Sequence, residues 1–443
     1  MKNQKSDTQN LNNNSNDTGY NSNSNSNSNS NSNSKIVLAF SGGLDTSFCV
    51  PYLLEKGYSV HTIFVDSGGV SNEEKLNIKR RAMELGATEH HEVSIGESLW
   101  KQVVIPLIQS GHWYQNQYPL LCSDRYLIVE ECLKLCDQLQ TNLFAHGCTG
   151  MGNDQVRFDL AVKSLGDYKI ISPIREIQRK TSQVRDYEIE YLKNKGFTVS
   201  DKASQYSINE NLLGATISGS EIDLWQTPGK GSYVLTQEPH LTEKKTTNLK
   251  LGFVQGVLVS VNNEKLHHQF NGEKVIQFLN KIGGDYAIGR GIYTGDTTIG
   301  LKGRIVFESP ALEILHTAHI ALEQAVLSKA QNRFKNLVAQ KWTELVYEGF
   351  FYEPLKVDLE AFIRSTQVNV TGEVTLSLST GQAFAVSIES GNILKDDSAV
   401  YAQSASWTID EAQGFIKLFG QSSVLAAKNS IVLNNSNLCE QAG

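Results

Sequence analysis

Seven residues between an apolar run and a helix-forming stretch carry the first chemical signal: Ser41-Gly42-Gly43-Leu44-Asp45-Thr46-Ser47. Two adjacent glycines let main-chain N–H groups curl closely around an anion. Ser41, Thr46 and Ser47 add hydroxyl donors, and the N-terminus of the following helix adds partial positive charge. Together these features describe a cradle for phosphate or pyrophosphate. The spacing is neither GxxxxGK[ST] nor GxGxxG, so the loop is a different phosphate turn from those two. Asp45 is the odd member. A carboxylate beside polyphosphate has to hold a magnesium ion or fix the backbone of the loop.

A second cluster follows further along the chain. Gly147, Gly150 and Gly152 make another backbone nest, with Thr149, Asn153, Asp154 and Arg157 beside it. Thr and Asn supply neutral hydrogen bonds, an aspartate can hold an ammonium, and an arginine can fork onto a carboxylate. An amino-acid substrate requires that set.

Both clusters need elements to hold them. Lys35–Phe40 reads as a short strand buried on both faces, and a helix runs on to Gly57. Strands are expected at Tyr58–Val65, Thr88–Val93, Asn142–His146 and Tyr168–Ser172. Helices are expected from a capping box at Ser71–Glu74 to Gly86, at Ser123–Gln138 with Ser123 or Asp124 as cap, at Asp154–Leu165 and at Thr181–Lys195. This alternation implies a parallel sheet covered on both faces, with ligands beyond the carboxyl ends of its strands. After about residue 200 the rhythm breaks. Hairpin-like strands at Lys250–Asn262 and Val368–Ser390, a helix at Glu273–Ile282 and one long or two stacked helices at Pro310–Tyr347 indicate an α+β region. Asp410–Phe419 and a polar tail read as an arm that docks on a neighbouring subunit.

The 443 residues exceed what one core usually serves, and 40% apolar with 20% charged residues is ordinary for a globular chain. A net charge of −7 excludes a general basic footprint for nucleic acid. No apolar run approaches the roughly 18–20 residues needed to span a bilayer. The six cysteines form no CxxC pair, so reduced thiols in the cytoplasm are expected. Cys132 and Cys136, four apart on a helix, read as packing. His316 and His319 read as core or surface residues, and His90 and His91, facing opposite sides of a strand, do not form a joint metal site. Residues 1–34, with seven Asn-Ser pairs, cannot bury enough apolar surface to order themselves.

The loop resembles the pyrophosphate loop of the ATP pyrophosphatase group, whose members transfer AMP to an oxygen and release pyrophosphate. The segment His146-Gly-Cys-Thr-Gly-Met-Gly-Asn-Asp-Gln-Val-Arg-Phe158 is similar to HG-x-TGKGNDQVRF of the argininosuccinate synthase family, and Tyr206-Ser-Ile-Asn-Glu-Asn-Leu212 to that family's WS-x-DENL. The resemblance runs from about Lys35 to Phe419. It implies an α/β fold: a PP-loop, adenine nucleotide α-hydrolase-like domain with a parallel sheet over 35–200, an α+β synthetase and oligomerisation domain over 201–408, and a C-terminal arm over 409–443.

Carried over by position, the resemblance implies that Ala39, Phe40, Ser41, Gly42, Gly43, Leu44, Asp45, Thr46 and Ser47 bind ATP, with Val65 near the adenine and Gly147 at the nucleotide. Thr149, Asn153 and Asp154 would bind aspartate. Asn153, Arg157, Tyr118, Ser123, Ser207 and Thr216 would line the citrulline site. Asp45 and Asp154 are the catalytic carboxylates of this reading, and ATP with magnesium is its co-substrate. The reaction implied joins citrulline and aspartate through citrullyl-AMP, a step of arginine biosynthesis and of the urea cycle, in a homotetramer.

Four positions depart from the family pattern. Met151 stands where lysine is usual, and Thr216 replaces a serine. Gly295 and Phe307 stand where a glutamate and a tyrosine face citrulline, with Asp296, Arg290 and Tyr293 as nearby polar substitutes. Either the contacts to citrulline are re-routed, or the substrate is a citrulline whose α-amine is acylated. The enzymatic rival is a tRNA-modifying PP-loop enzyme, which draws attention to Cys148. The non-enzymatic rival is a binding protein with a dead nucleotide site.

Overall fold

The computed structural model describes residues 34–199 and 206–440, except 230, 243, 244, 269 and 402. The Asn/Ser-rich segment lies outside them apart from Ser34, which opens the first strand. Five strands, β1 (Ser34–Ala39), β2 (Tyr58–Asp66), β3 (Glu89–Ser94), β4 (Leu143–Ala145) and β5 (Lys169–Ile171), form one sheet in the order β3-β2-β1-β4-β5. All four pairings are parallel, as the βα alternation requires.

β1 sits at the centre because its side chains are apolar on both faces. Ile36 and Leu38 pack with Phe48 and Leu53 of α1 (Leu44–Glu55), and Val37 packs into the core on the opposite side. The capping box at Ser71 is present and opens α2 (Asn72–Glu84). Three short helical pieces absent from the sequence reading follow β3: α3 (Gly96–Leu99), a π-helical turn at Trp100–Val104, and α4 (Ile105–Ser110). Their changing period conceals any 3.6-residue pattern.

α5 (Asp124–Gln138) and α6 (Asn153–Leu165) cover the Val37 face. Ser123 does not cap α5 with its side chain; its hydroxyl donates to the Leu120 carbonyl at 2.7 Å. Cys132 and Cys136 are fully buried in that face, so they are packing residues. The expected helix at Thr181–Lys195 is α8 (Val184–Asn194); a short helix absent from the sequence reading, α7 (Pro173–Gln178), precedes it, and both pack with α1 on the other face.

Two antiparallel sheets follow. The first contains β6 (Ser207–Asn211), β7 (Gly214–Ser218), β11 (Arg290–Asp296) and β12 (Lys302–Glu308), ordered β11-β12-β7-β6. The second contains β8 (Thr247–Val254), β9 (Val257–Val261), β10 (Glu264–Lys265), β13 (Gly372–Ser379) and β14 (Gln382–Glu389), ordered β10-β9-β8-β13-β14. α9 (Gly272–Asp285) packs on α10 (Pro310–Val326), which also covers β13 and β14.

The Pro310–Tyr347 stretch breaks at Leu327, and Ser328 opens α11 (Lys329–Glu348) with a second capping box. α12 (Pro354–Thr366) packs against α11. His319 is fully buried and bonds Gln367 at 3.0 Å, while His316 stacks on Trp113. Burial holds both histidines down at about 3, so they are neutral core residues. The arm is longer than expected: α13 runs Ile409–Glu440. Gly414 and Gly420 interrupt its helix propensity, which hid its length in the sequence. No helix among the described residues is long and apolar enough to cross a membrane.

Candidate active site

β1 pairs with β2 on one side and β4 on the other, so the strand order reverses at β1. Segments leaving the carboxyl ends of β1 and β4 diverge there and leave a crevice, the usual place for a ligand in such a sheet. The two loops singled out in the sequence flank that crevice. Gly42 has φ +78°, which glycine adopts without strain, and a Cβ there would press on Ile78 at 3.1 Å. The Ser41 and Thr46 hydroxyls stand 3.2 Å apart, and Ser47 donates to the Gly42 carbonyl at 3.4 Å. Gly43 precedes α1 in extended conformation with no side-chain cap, so the helix terminus itself meets the crevice.

The second loop touches the first. A Cβ at Gly147 would lie 3.1 Å from Thr46 Cγ2 and 3.4 Å from Asp45 Cβ. Buried His146 holds this loop from below: its Nδ1 accepts from the Cys148 amide at 3.1 Å, and its Nε2 lies 3.1 Å from Asp159, onto which Arg175 forks. Gln178 accepts from the Gly150 amide at 2.6 Å. Ala39 ends β1, Phe40 is buried behind the loop, and Val65 is buried near the carboxyl end of β2. Met151, at the lysine position, points out and is 85% exposed.

Asp154 lies in the first turn of α6 between two guanidinium groups. Arg157 donates to its Oδ1 at 2.8 Å and Arg125 to its Oδ2 at 3.2 Å. Burial alone would raise its pKa, but the charges of Arg125 and Arg157 hold it below the ordinary carboxylate value. Arg157 is itself buried, donates to the Tyr347 carbonyl at 3.0 Å and lies over the Tyr347 ring at 4.8 Å. A desolvated contact of that kind contributes about 2 kcal/mol. Asn153 bridges the same junction: its amide donates to Tyr347 Oη at 3.3 Å, and its Oδ1 accepts from Thr298 Oγ1 at 3.0 Å. Tyr118 is buried in an aromatic nest with Tyr293, Phe307 and Tyr347.

Thr216 of β7 pairs with Phe307 of β12 and so reaches the same nest. Ser207 opens β6 and is exposed, and Ser123 keeps its hydroxyl on the Leu120 carbonyl. Thr149 belongs to the second loop, its Oγ1 being the nearest atom to a Cβ at Gly152. The third motif closes the crevice: the Leu212 amide donates to the Ser67 carbonyl after β2 at 2.8 Å, and Asn211 donates to the Leu121 carbonyl at 2.9 Å.

The departures have a spatial account. A Cβ at Gly295 would overlap Gln115 Oε1 and Tyr293 Oη, so these two groups occupy the room that a glutamate would need. Tyr293 donates to Gln115 at 3.0 Å. Asp296 is already engaged, accepting from Gln115 at 2.6 Å and paired with Lys302. Lys302 and then Gln115 hold its pKa below the ordinary value. Burial pushes the Cys148 thiol far up, which does not suit a reactive thiolate.

The sequence reading missed Arg125, Tyr347, Gln115 and Glu188. Glu188 of α8 is buried, and its Oε1 has no hydrogen-bond partner. Burial first, then the Asp45 charge, raises Glu188 to about 8, and burial raises Asp45 as well. Glu188 therefore holds its proton more tightly in the folded chain than in the unfolded one. A folded state that holds a proton more tightly than the unfolded chain loses stability as pH rises between the two values, here from 4.5 to about 8. Glu188→Gln, a neutral isostere of the protonated acid, should flatten that loss. Urea midpoints at about pH 5 and about pH 9 test it: the wild-type midpoint should fall further than the variant's, and equal falls would show that Glu188 is not protonated in the folded chain.

Comparison with known proteins agrees with this geometry. The family model for the arginosuccinate synthase N-terminal HUP domain matches residues 35–198, and that for its C-terminal domain matches residues 206–426. Argininosuccinate synthase of Xanthomonas campestris pv. campestris is 56% identical over 395 residues, covering 89% of this chain and 98% of that relative. The Xylella fastidiosa enzyme of that name is 55% identical over 395 residues, covering 89% and 97%. That of Pyrococcus furiosus is 39% identical over 397 residues, covering 88% and 94%. The chain, an ATP-dependent ligase, belongs to the argininosuccinate synthase family.

Proposed function

We propose that the crevice between the two loops binds ATP, citrulline and aspartate together, and that the reaction is driven by alignment rather than by a covalent enzyme intermediate. The observation that carries this reading is the contact of Gly147 with Thr46 and Asp45, which places the phosphate loop against the amino-acid loop. The residues from Ala39 to Ser47 cradle the ATP phosphates, Val65 borders the adenine and Gly147 lets the nucleotide approach. Thr149, Asn153 and Asp154 hold aspartate. Tyr118, Arg157, Asn153, Ser123, Ser207 and Thr216 surround citrulline.

In the first step the ureido oxygen of citrulline attacks the α-phosphorus and pyrophosphate leaves. In the second the neutral amine of aspartate attacks the ureido carbon and AMP leaves, giving argininosuccinate. Main-chain amides and the α1 terminus stabilise charge on the departing phosphates. Asp45 positions the loop. Magnesium enters with the ATP phosphates: both oxygens of Asp154 are taken by arginines, so this carboxylate does not fit a dedicated protein ligand for it.

Free citrulline is the substrate that the relatives' names support, and Gln115 with Tyr293 supplies re-routed polar contacts at its amino-acid end. The setting is the cytoplasm, and the assembly is a homotetramer. α13 supports the assembly, because Phe415, Ile416, Leu418 and Phe419 stand exposed along it.

Mixing the chain with ATP, citrulline and aspartate should release pyrophosphate and AMP in equal amounts, and kcat/KM should be higher for citrulline than for acetylcitrulline. The reverse preference would overturn the free amino acid, and no release with either would favour a binding role. Asp154→Asn should raise KM for aspartate about 10- to 100-fold, the loss of one charged hydrogen bond, with citrulline KM changed less. An equal rise in both would remove the assignment of Asp154 to aspartate. Deleting residues 405–443 should lower the assembly mass seen by light scattering; an unchanged mass would separate the arm from assembly.

A further inference from the structure

Adjacent His90 and His91 do face opposite sides of β3, and His90 bonds Thr62 at 2.9 Å on its own side. His91, however, meets a histidine from the neighbouring strand. In the parallel β2–β3 register His61 is opposite Glu89 and Ile63 opposite His91, so His61, Glu89 and His91 share one face. His61 Nδ1 stands 3.6 Å from Glu89 Oε2, and His91 Nε2 stands 3.4 Å from the same oxygen. All three ligand atoms lie within 4.8 Å of one another. The two imidazoles are 6.1 Å apart, centre to centre, and inclined by 29°.

These distances are too long for good N–H···O bonds, which peak at about 2.9–3.0 Å. They match instead the edge of a tetrahedron. Bonds of about 2.0–2.1 Å to zinc put neighbouring ligand atoms about 3.3 Å apart. The His61 side chain is 7% exposed, and its Nδ1 is buried without a hydrogen-bond partner. His91 Nε2 is likewise buried and unpartnered. Two buried ring nitrogens without partners, aimed at one carboxylate oxygen, require an explanation. Glu89 reaches the surface, with its side chain 58% exposed, so a fourth ligand position opens to water.

We propose that His61, Glu89 and His91 form a binding site for a divalent transition ion of the zinc class, separate from the crevice at the carboxyl ends of β1 and β4. Two imidazoles and one carboxylate are a zinc-type donor set, and oxygen-preferring magnesium or calcium would not choose it. The ion would clip the edge strand β3 to β2, because each strand supplies at least one ligand. Binding to the folded chain alone would stabilise it as the ion concentration passes the dissociation constant.

The test uses the full chain, freed of metal with a chelator and titrated with zinc sulfate in a calorimeter at neutral pH. One equivalent of zinc should bind and raise Tm. His91→Ala and Glu89→Gln should each weaken binding at least about tenfold, whereas His90→Ala should not. Cobalt(II) should give the visible absorption of a four-coordinate site in the wild type and lose it in His91→Ala. Glu89 is exposed, so Glu89→Gln keeps the test valid if His91→Ala folds poorly. Absence of zinc binding by the wild type, or equal binding by Glu89→Gln and the wild type, would overturn the site and leave an ordinary histidine–glutamate ion pair.

Discussion

The site depends on one carboxylate shared by two arginines. Asp154 joins Arg125 of α5 to Arg157 of α6, and Arg157 continues to Tyr347 at the end of α11. Three helices from distant parts of the chain therefore meet at one charge. Both guanidiniums are largely buried; Arg157 would lose its paired carboxylate without Asp154, whereas Arg125 is also held by Asp124 at 2.6 Å. Asn153, one residue earlier, extends the same junction to Thr298. The α+β region is thereby fastened to the helices that cover the parallel sheet.

The phosphate side follows a different rule. Its donors are main-chain amides and hydroxyls, with Arg81 Nε reaching Ser47 Oγ at 3.5 Å, and burial raises the pKa of its one carboxylate, Asp45. A proton held on Glu188 removes negative charge from beside the Ser41–Ser47 loop. Around Asp154, by contrast, the two guanidiniums of Arg125 and Arg157 are balanced by two carboxylates, Asp124 and Asp154.

What was legible in the sequence follows from how each element is stabilised. β1, β2, β4 and β5 were readable because a parallel sheet covered on both faces needs unbroken apolar runs. β6 was not, since Ser-Ile-Asn-Glu-Asn is polar and largely exposed, and it is held by pairing with β7 and by Asn211 reaching Leu121. β11 carries Gly291 and Gly295, which weaken any strand signal. In the site, the loop residues declared themselves by type and spacing. Tyr347 and Arg125 did not, because their partners lie far away in sequence and only the fold brings them together. Glu188 looks like any helix-surface glutamate until α8 is laid on α1.

The edges of the sheets differ in character. β3 ends the parallel sheet with Glu89, His90, His91 and Glu92, and an edge strand carrying such side chains discourages another strand from adding to it. β14 ends its antiparallel sheet with Phe384 and Val386 turned outward, 60% and 52% exposed. One edge thus carries charged and imidazole groups that disfavour an added strand, whereas the other leaves apolar side chains in solvent.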